Sequence, residues 1–106
     1  MQPNLQVIKK LQNAINKKFD EKLLFNQTQW YSEEKNAPVN LYKLKKVIID
    51  PETGRHHNIE IFSTYSHIQM VLFLRDYWYE LNGWEVPTDN EEWNKAKASY
   101  MERHYG

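Results

Sequence analysis

The sequence predicts an α+β fold in the order helix, three strands, helix, helix (α-β-β-β-α-α), with one three-stranded antiparallel sheet and the helices packed on one of its faces. Three observations carry this. Apolar residues recur at helical spacing near the start, two strand-like stretches flank the turn "DPETGR", and a nearly all-apolar helical run stops at "NG". One helix alone could not cover such a sheet, and a hairpin needs a covered face, so the helices form a second layer.

The first helix spans residues 4 to about 18. Leu5, Ile8, Leu11, Ile15 and Phe19 form an apolar stripe that Val7 and Ala14 widen, with Lys9, Lys10, Asn13, Asn16 and Lys17 opposite. Asn4 is the expected N-cap. Residues 23–31, "LLFNQTQWY", carry branched and aromatic side chains without helical spacing and read as a strand, and "EEKNAP" after them as a loop.

A β-hairpin is predicted at residues 39–49 and 58–65. In its turn Pro51 presets φ, the Asp50 side chain can accept from the following backbone, and Gly54 can take the positive φ that closes the bend. Ser66 and Gln69 fit a capping box ahead of the apolar helix, which Asn82 and Gly83 end, Gly83 at the left-handed C′ position. Thr88 or Asp89 is expected to cap the last helix through Glu91 or Glu92. Trp93, Ala96, Tyr100, Met101 and His104 mark its inner face, and Glu91 with Lys95 forms a favourable i,i+4 pair.

A chain of 106 residues is read as one α+β domain over residues 1–106, since it is too short for two cores. Lys plus Arg and Asp plus Glu both number 14, so no net field draws the chain to nucleic acid or to a membrane. The charge is uneven: residues 1–22 carry five lysines against two acids, and residues 67–106 carry seven acids against four basic residues. Cysteine is absent, which excludes disulfides and thiolate metal sites and suits a reducing compartment. There is no apolar run of about 18 residues, and "MQPNLQVIKK" lacks the apolar core of a signal peptide. The expectation is a cytoplasmic protein without a membrane partner. Abundant Lys, Asn, Ile and Tyr, all with AT-rich codons, fit a low-GC bacterial or phage gene.

No catalytic apparatus is legible. His56 and His57 are adjacent, so on a strand they point to opposite faces, and no metal-binding spacing links them to His67 or His104. The acidic pairs Glu33–Glu34 and Glu91–Glu92 sit in a loop and in a helix first turn, where solvation or the helix dipole accounts for them. With only three glycines, and no G-x-S-x-G motif or cysteine nucleophile, there is neither a phosphate cradle nor an activated nucleophile. No enzyme activity, cofactor or metal is therefore expected.

Two surfaces remain. In "LYKLKK", Lys43 and Lys45 project from one strand face and Tyr42, Leu44 and Ile48 from the other. On an open face these lysines could meet phosphates, with Trp30 or Phe62 as a stacking plane and Lys9, Lys10 and Lys17 of the first helix adding charge. The helix–strands–helix order is also that of the double-stranded-RNA-binding domain, whose second helix opens on a basic turn. "SHIQMVLF" holds no lysine or arginine, so nothing is carried over from that family.

The second surface follows from the aromatic excess, 14% of residues. In "RDYWYELNGW" three consecutive aromatics fan over roughly 200° of a helix and cannot share one core. Met70, Val71, Leu74, Tyr77, Trp78 and Leu81 form the sheet-facing stripe. Ile68, Leu72 and Tyr79 form a narrower second stripe, with Phe73 alone on the far side. Either another helix of this chain covers the second stripe, or another protein or a second copy does. The leading expectation is a small non-enzymatic protein-binding module, accessory or inhibitor-like, with Tyr79, Leu72, Ile68 and Phe73 as contact candidates. The alternative is a nucleic-acid-binding domain using Lys43, Lys45, Lys9, Lys10 and Lys17.

Overall fold

The computed structural model describes residues 3–105, with side chains over residues 5–103. The elements are α1 (Pro3–Phe19), β1 (Leu23–Ser32), β2 (Ala37–Ile49), β3 (His56–Thr64), α2 (His67–Leu81) and α3 (Glu91–Tyr105). Helix α1 already includes Asn4, so its capping position falls outside the described residues. Ile8 and Ile15, seven residues apart on one side of α1, are wholly buried. Leu5, Leu11 and Phe19 pack around them. Each fully buried aliphatic side chain contributes about 1.5–3 kcal/mol relative to exposure.

The strands form one antiparallel sheet in the order β1-β2-β3. β1 pairs with β2 without interruption from Leu23↔Lys46 to Ser32↔Ala37, whereas the β2–β3 ladder has a bulge at Leu44/Lys45. The β2–β3 turn closes as the sequence predicts. Glu52 N–H donates to Asp50 Oδ1 at 2.8 Å, Gly54 N–H donates to the Asp50 carbonyl at 2.8 Å, and Gly54 has φ +72°.

One face of the sheet supplies Leu23, Tyr42, Leu44 and Phe62 to the core, where they meet Ile8 and Ile15 of α1 and Met70 and Leu74 of α2. Helix α3 packs beside β3. Trp93 and Tyr100 lie against Phe62, with ring centroids 5.6 and 4.9 Å apart. The opposite face, carrying Leu24, Trp30, Leu41, Lys43 and Lys45, supplies none of the buried core and has no helix packed across it among the described residues.

Ser66 caps α2 by accepting from Gln69 N–H, but the reciprocal half of the capping box is absent. The Gln69 side-chain oxygen Oε1 instead accepts from the Thr64 hydroxyl at 2.7 Å, and that hydroxyl accepts from Ser66 N–H. The helix ends in a Schellman arrangement: Trp84 N–H donates to the Tyr79 carbonyl and Gly83 N–H to the Glu80 carbonyl, with Gly83 at φ +74°. Asn90, not Thr88 or Asp89, caps α3, its Oδ1 accepting from Trp93 N–H at 2.8 Å. Of the expected inner face of α3, Trp93 and Tyr100 are buried, Met101 is exposed, and the side chain of His104 lies outside the described residues. No helix among the described residues is long and apolar enough to cross a membrane.

Candidate partner-binding surface

The β1–β2 hairpin extends beyond the helical layer. Helix α1 holds only the root of β1, where the Asn16 side chain accepts from Leu23 N–H at 2.9 Å and donates to its carbonyl at 3.1 Å, and Gln12 donates to the same carbonyl at 2.7 Å. Beyond Phe25 no helix among the described residues covers the strand, and residues 26–31 are all exposed. The radius of gyration, 15.1 Å, exceeds the roughly 13 Å of a compact chain of this length, as a projecting arm requires.

Aromatic side chains gather at the end of this arm. Trp30 is 40% exposed, Tyr31 59% and Tyr65 63%. Trp30 and Tyr65 meet edge to face with centroids 6.2 Å apart, and the Lys35 ammonium lies 5.7 Å from the Tyr65 ring. Tyr31 donates its hydroxyl to Asn36 Oδ1, fixing the ring across the hairpin turn. Large amphipathic rings held in place and left in water lose little conformational freedom on binding, which makes them effective anchors.

The second stripe of α2 does not form an open patch. Phe73 stacks on Phe62 with centroids 4.4 Å apart and planes 4° from parallel, so it belongs to the core. Leu72 packs against the core as well, and Tyr79 is half-buried edge-on to Trp84 at 5.4 Å. Ile68 alone of the four is exposed, at 60%. Phe73 departs from the expectation because α2 is wedged between elements. It meets the sheet below, α1 through Phe19–Trp78, and α3 through Asp76, so a wider arc is buried than a helix on an open layer would need. At the C-terminal end of α2, Lys18 reaches across from α1, bonding Asn82 Oδ1 at 2.9 Å with its ammonium 4.8 Å from the Trp78 ring.

The lysines fall on two sides of the molecule. Lys43 and Lys45 stand on the uncovered sheet face with Trp30, and Glu60 faces Lys43 at 3.8 Å. Lys9, Lys10 and Lys17 are exposed on the outer side of α1, which lies over the covered face. Phe62 is buried and offers no stacking plane.

Two grooves flank α3. One, of about 530 Å³, is bordered by Lys46, Phe73, Tyr77, Lys97 and Met101. At its margin Glu21 Oε2 accepts from Lys46 at 3.0 Å and from the Tyr77 hydroxyl at 3.2 Å. The bond to Glu21 raises the Lys46 pKa, and burial raises that of Tyr77. Both groups therefore keep their protons at neutral pH, and the trio serves as a bridge joining the α1–β1 connection to β2 and α2. The other groove, about 750 Å³, lies between β3 and α3 beside Lys43, Glu60, Gln69 and Arg103. Among the described residues no three His, Asp or Glu side chains gather as a metal site would require.

Sequence reasoning weighed Trp30 only as a stacking plane and passed over Tyr31 and Tyr65. The available signal was the strand "FNQTQWYS", which lacks both charge and the strict alternation of a strand with one buried face. No protein-family model, no curated protein and no solved structure matches the chain.

Proposed function

We propose that the protein is a small cytosolic, non-enzymatic protein-binding module, accessory or inhibitor-like, that engages its partner through the arm of the β1–β2 hairpin. The observation behind this is the joint exposure of Trp30 and Tyr65 at one end of the uncovered sheet face, with Tyr31 exposed on the other side of the same strand end. This moves the binding surface away from Tyr79, Leu72 and Phe73, which serve packing, and leaves Ile68 outside it. The test is a Trp30→Ala plus Tyr65→Ala variant, with its fold checked by circular dichroism. Affinity for a captured partner should fall at least about tenfold, the ordinary cost of losing an aromatic hot spot. Unchanged affinity in a folded variant would refute the reading.

The placement of Lys43, Lys45 and Trp30 on one face favours nucleic acid as the second reading. Glu60 beside Lys43 and the separation from the α1 lysines count against it. Single-stranded nucleic acid should then bind with a salt-dependent affinity that weakens in Lys43→Ala plus Lys45→Ala. A flat salt response would discard it.

A further inference from the structure

We infer that the outer edge of β1 pairs with the same edge of a second copy of this chain, joining two three-stranded sheets into one six-stranded sheet across a two-fold axis at Thr28. The inference deepens the protein-binding reading, naming the occupant of the arm.

The two edges of the sheet differ. Beside β3 the ladder is bulged, Trp93 and Tyr100 of α3 pack on Phe62, and the Tyr100 hydroxyl reaches Glu60. Edge β1 has none of these protections. Its ten residues, "LLFNQTQWYS", hold no charge and no proline, and its register with β2 is unbroken. Natural proteins usually blunt a long edge strand with lysine, proline, a bulge or a covering element, because its open N–H and C=O groups invite pairing.

The backbone fixes which groups are on offer. The Lys22 carbonyl accepts from Val47 N–H, so even-numbered residues of β1 bond to β2 and odd-numbered ones point outward. Leu23 is already satisfied by Asn16 and Gln12. The outward groups of Phe25, Gln27, Gln29 and Tyr31 have no hydrogen-bond partner among the described residues. An antiparallel match using all four is centred on Thr28, over about 20 Å of strand. A centre at Gln27 would set Tyr31 against the occupied Leu23, and one at Gln29 would set Phe25 against the turn.

That register is self-complementary in its side chains. Phe25 faces Tyr31 of the other copy, Gln27 faces Gln29, Asn26 faces Trp30, and Thr28 faces itself. Aromatic pairs and threonine pairs are stabilising across strands, and no like charges meet because the strand has none. The two-fold axis makes every contact occur twice, as an isologous dimer requires.

The full chain tests this directly, since it contains no cysteine. Sedimentation across a concentration series should show a monomer–dimer equilibrium. Thr28→Lys, which opposes two like charges at the axis, should raise the dimer Kd at least about tenfold while leaving the circular dichroism spectrum unchanged. Thr28→Cys should form an interchain disulfide under mild oxidation, because facing residues across an antiparallel pair lie about 4.5–5.5 Å apart, within disulfide reach. Thr53→Cys, in the β2–β3 turn, should not. A chain that stays monomeric, or a dimer insensitive to Thr28→Lys whose Thr28→Cys cross-links no faster than Thr53→Cys, would overturn the inference. A monomer that still bound another protein through Trp30 and Tyr65 would sink the dimer and leave the broader binding reading standing.

Discussion

Trp93 donates its indole N–H to Asp76 Oδ2 at 2.9 Å, in a site where both side chains are almost wholly enclosed. The same oxygen accepts from Lys97 Nζ at 2.7 Å, and Oδ1 is held by Arg75 at 3.1 Å. One carboxylate on α2 thus gathers three donors, two of them from α3. Asp76→Ala should destabilise the fold by about 2–3 kcal/mol, since it leaves a buried indole N–H unsatisfied and two partly buried cations without their anion. Urea unfolding measures the loss. Limited proteolysis should then cut within α3 first, and equal cutting in both proteins would show that Asp76 does not hold the helix.

Phe62 and Ile68 mark the extremes of what truncation should cost. Phe62 touches the rings of Phe73, Trp93 and Tyr100, so Phe62→Ala should cost about 3–5 kcal/mol and leave little folded protein. Phe73→Ala should cost about 2–4 kcal/mol, whereas the exposed Ile68→Ala should stay within about 0.5 kcal/mol. Denaturant midpoints for the three variants decide it, and a Phe73→Ala as mild as Ile68→Ala would return Phe73 to the surface.

Alkaline pH should weaken the fold through Lys46 and Tyr77. Both pKa values are raised in the folded state, Lys46 chiefly by its bond to Glu21 and Tyr77 chiefly by burial. Their contributions are complete below the unfolded values, about 10 for each group, and are lost as pH rises through the folded ones. Thermal melting from pH 8 to pH 11.5 should show this loss above pH 10. Glu21→Gln, which removes the anion that both groups donate to, should flatten the fall. An unaltered profile would mean that other groups carry the alkaline transition.

Gly83 has φ +74°, and nothing stands within 4 Å of where a Cβ would project. Gly83→Ala should therefore cost about 1 kcal/mol through backbone strain alone. Gly83→Asn should recover part of that cost, since asparagine tolerates this conformation better. A clash-sized loss in the thermal midpoint would contradict the open space at this site.

Local rules carried much of the fold. Ile8 and Ile15 announce the buried side of α1 by spacing alone, Gly83 announces the end of α2, and "DPETGR" its turn. What escaped was set by packing between elements. Phe73 lies outside the expected stripe on a helical wheel, yet it stacks on Phe62 because α3 closes the third side of α2. Asp76 sits beside Arg75 like any surface ion pair, and only the approach of Trp93 from seventeen residues away makes it a buried hub. Three candidate caps precede α3, and Asn90 takes the role because its oxygen alone reaches Trp93 N–H. The arm was illegible for a different reason. Its strand lacks the alternation of a half-covered strand, but that alone does not say where cover ends, and the exposure of Trp30 and Tyr65 emerges only when the helices are seen to stop near Phe25.

The depth at which each tryptophan sits also has an optical meaning. Trp93 is sealed against Asp76, Trp78 lies half-covered under the Lys18 ammonium, and Trp30 and Trp84 stand in water. Intrinsic fluorescence is therefore layered. A collisional quencher such as iodide reaches Trp30 and Trp84 and spares Trp93, so the shielded fraction of the emission reports whether α3 is seated. The chain carries its own unlabelled probe of that helix, and a second at the arm, where contact with a partner would dry the ring of Trp30.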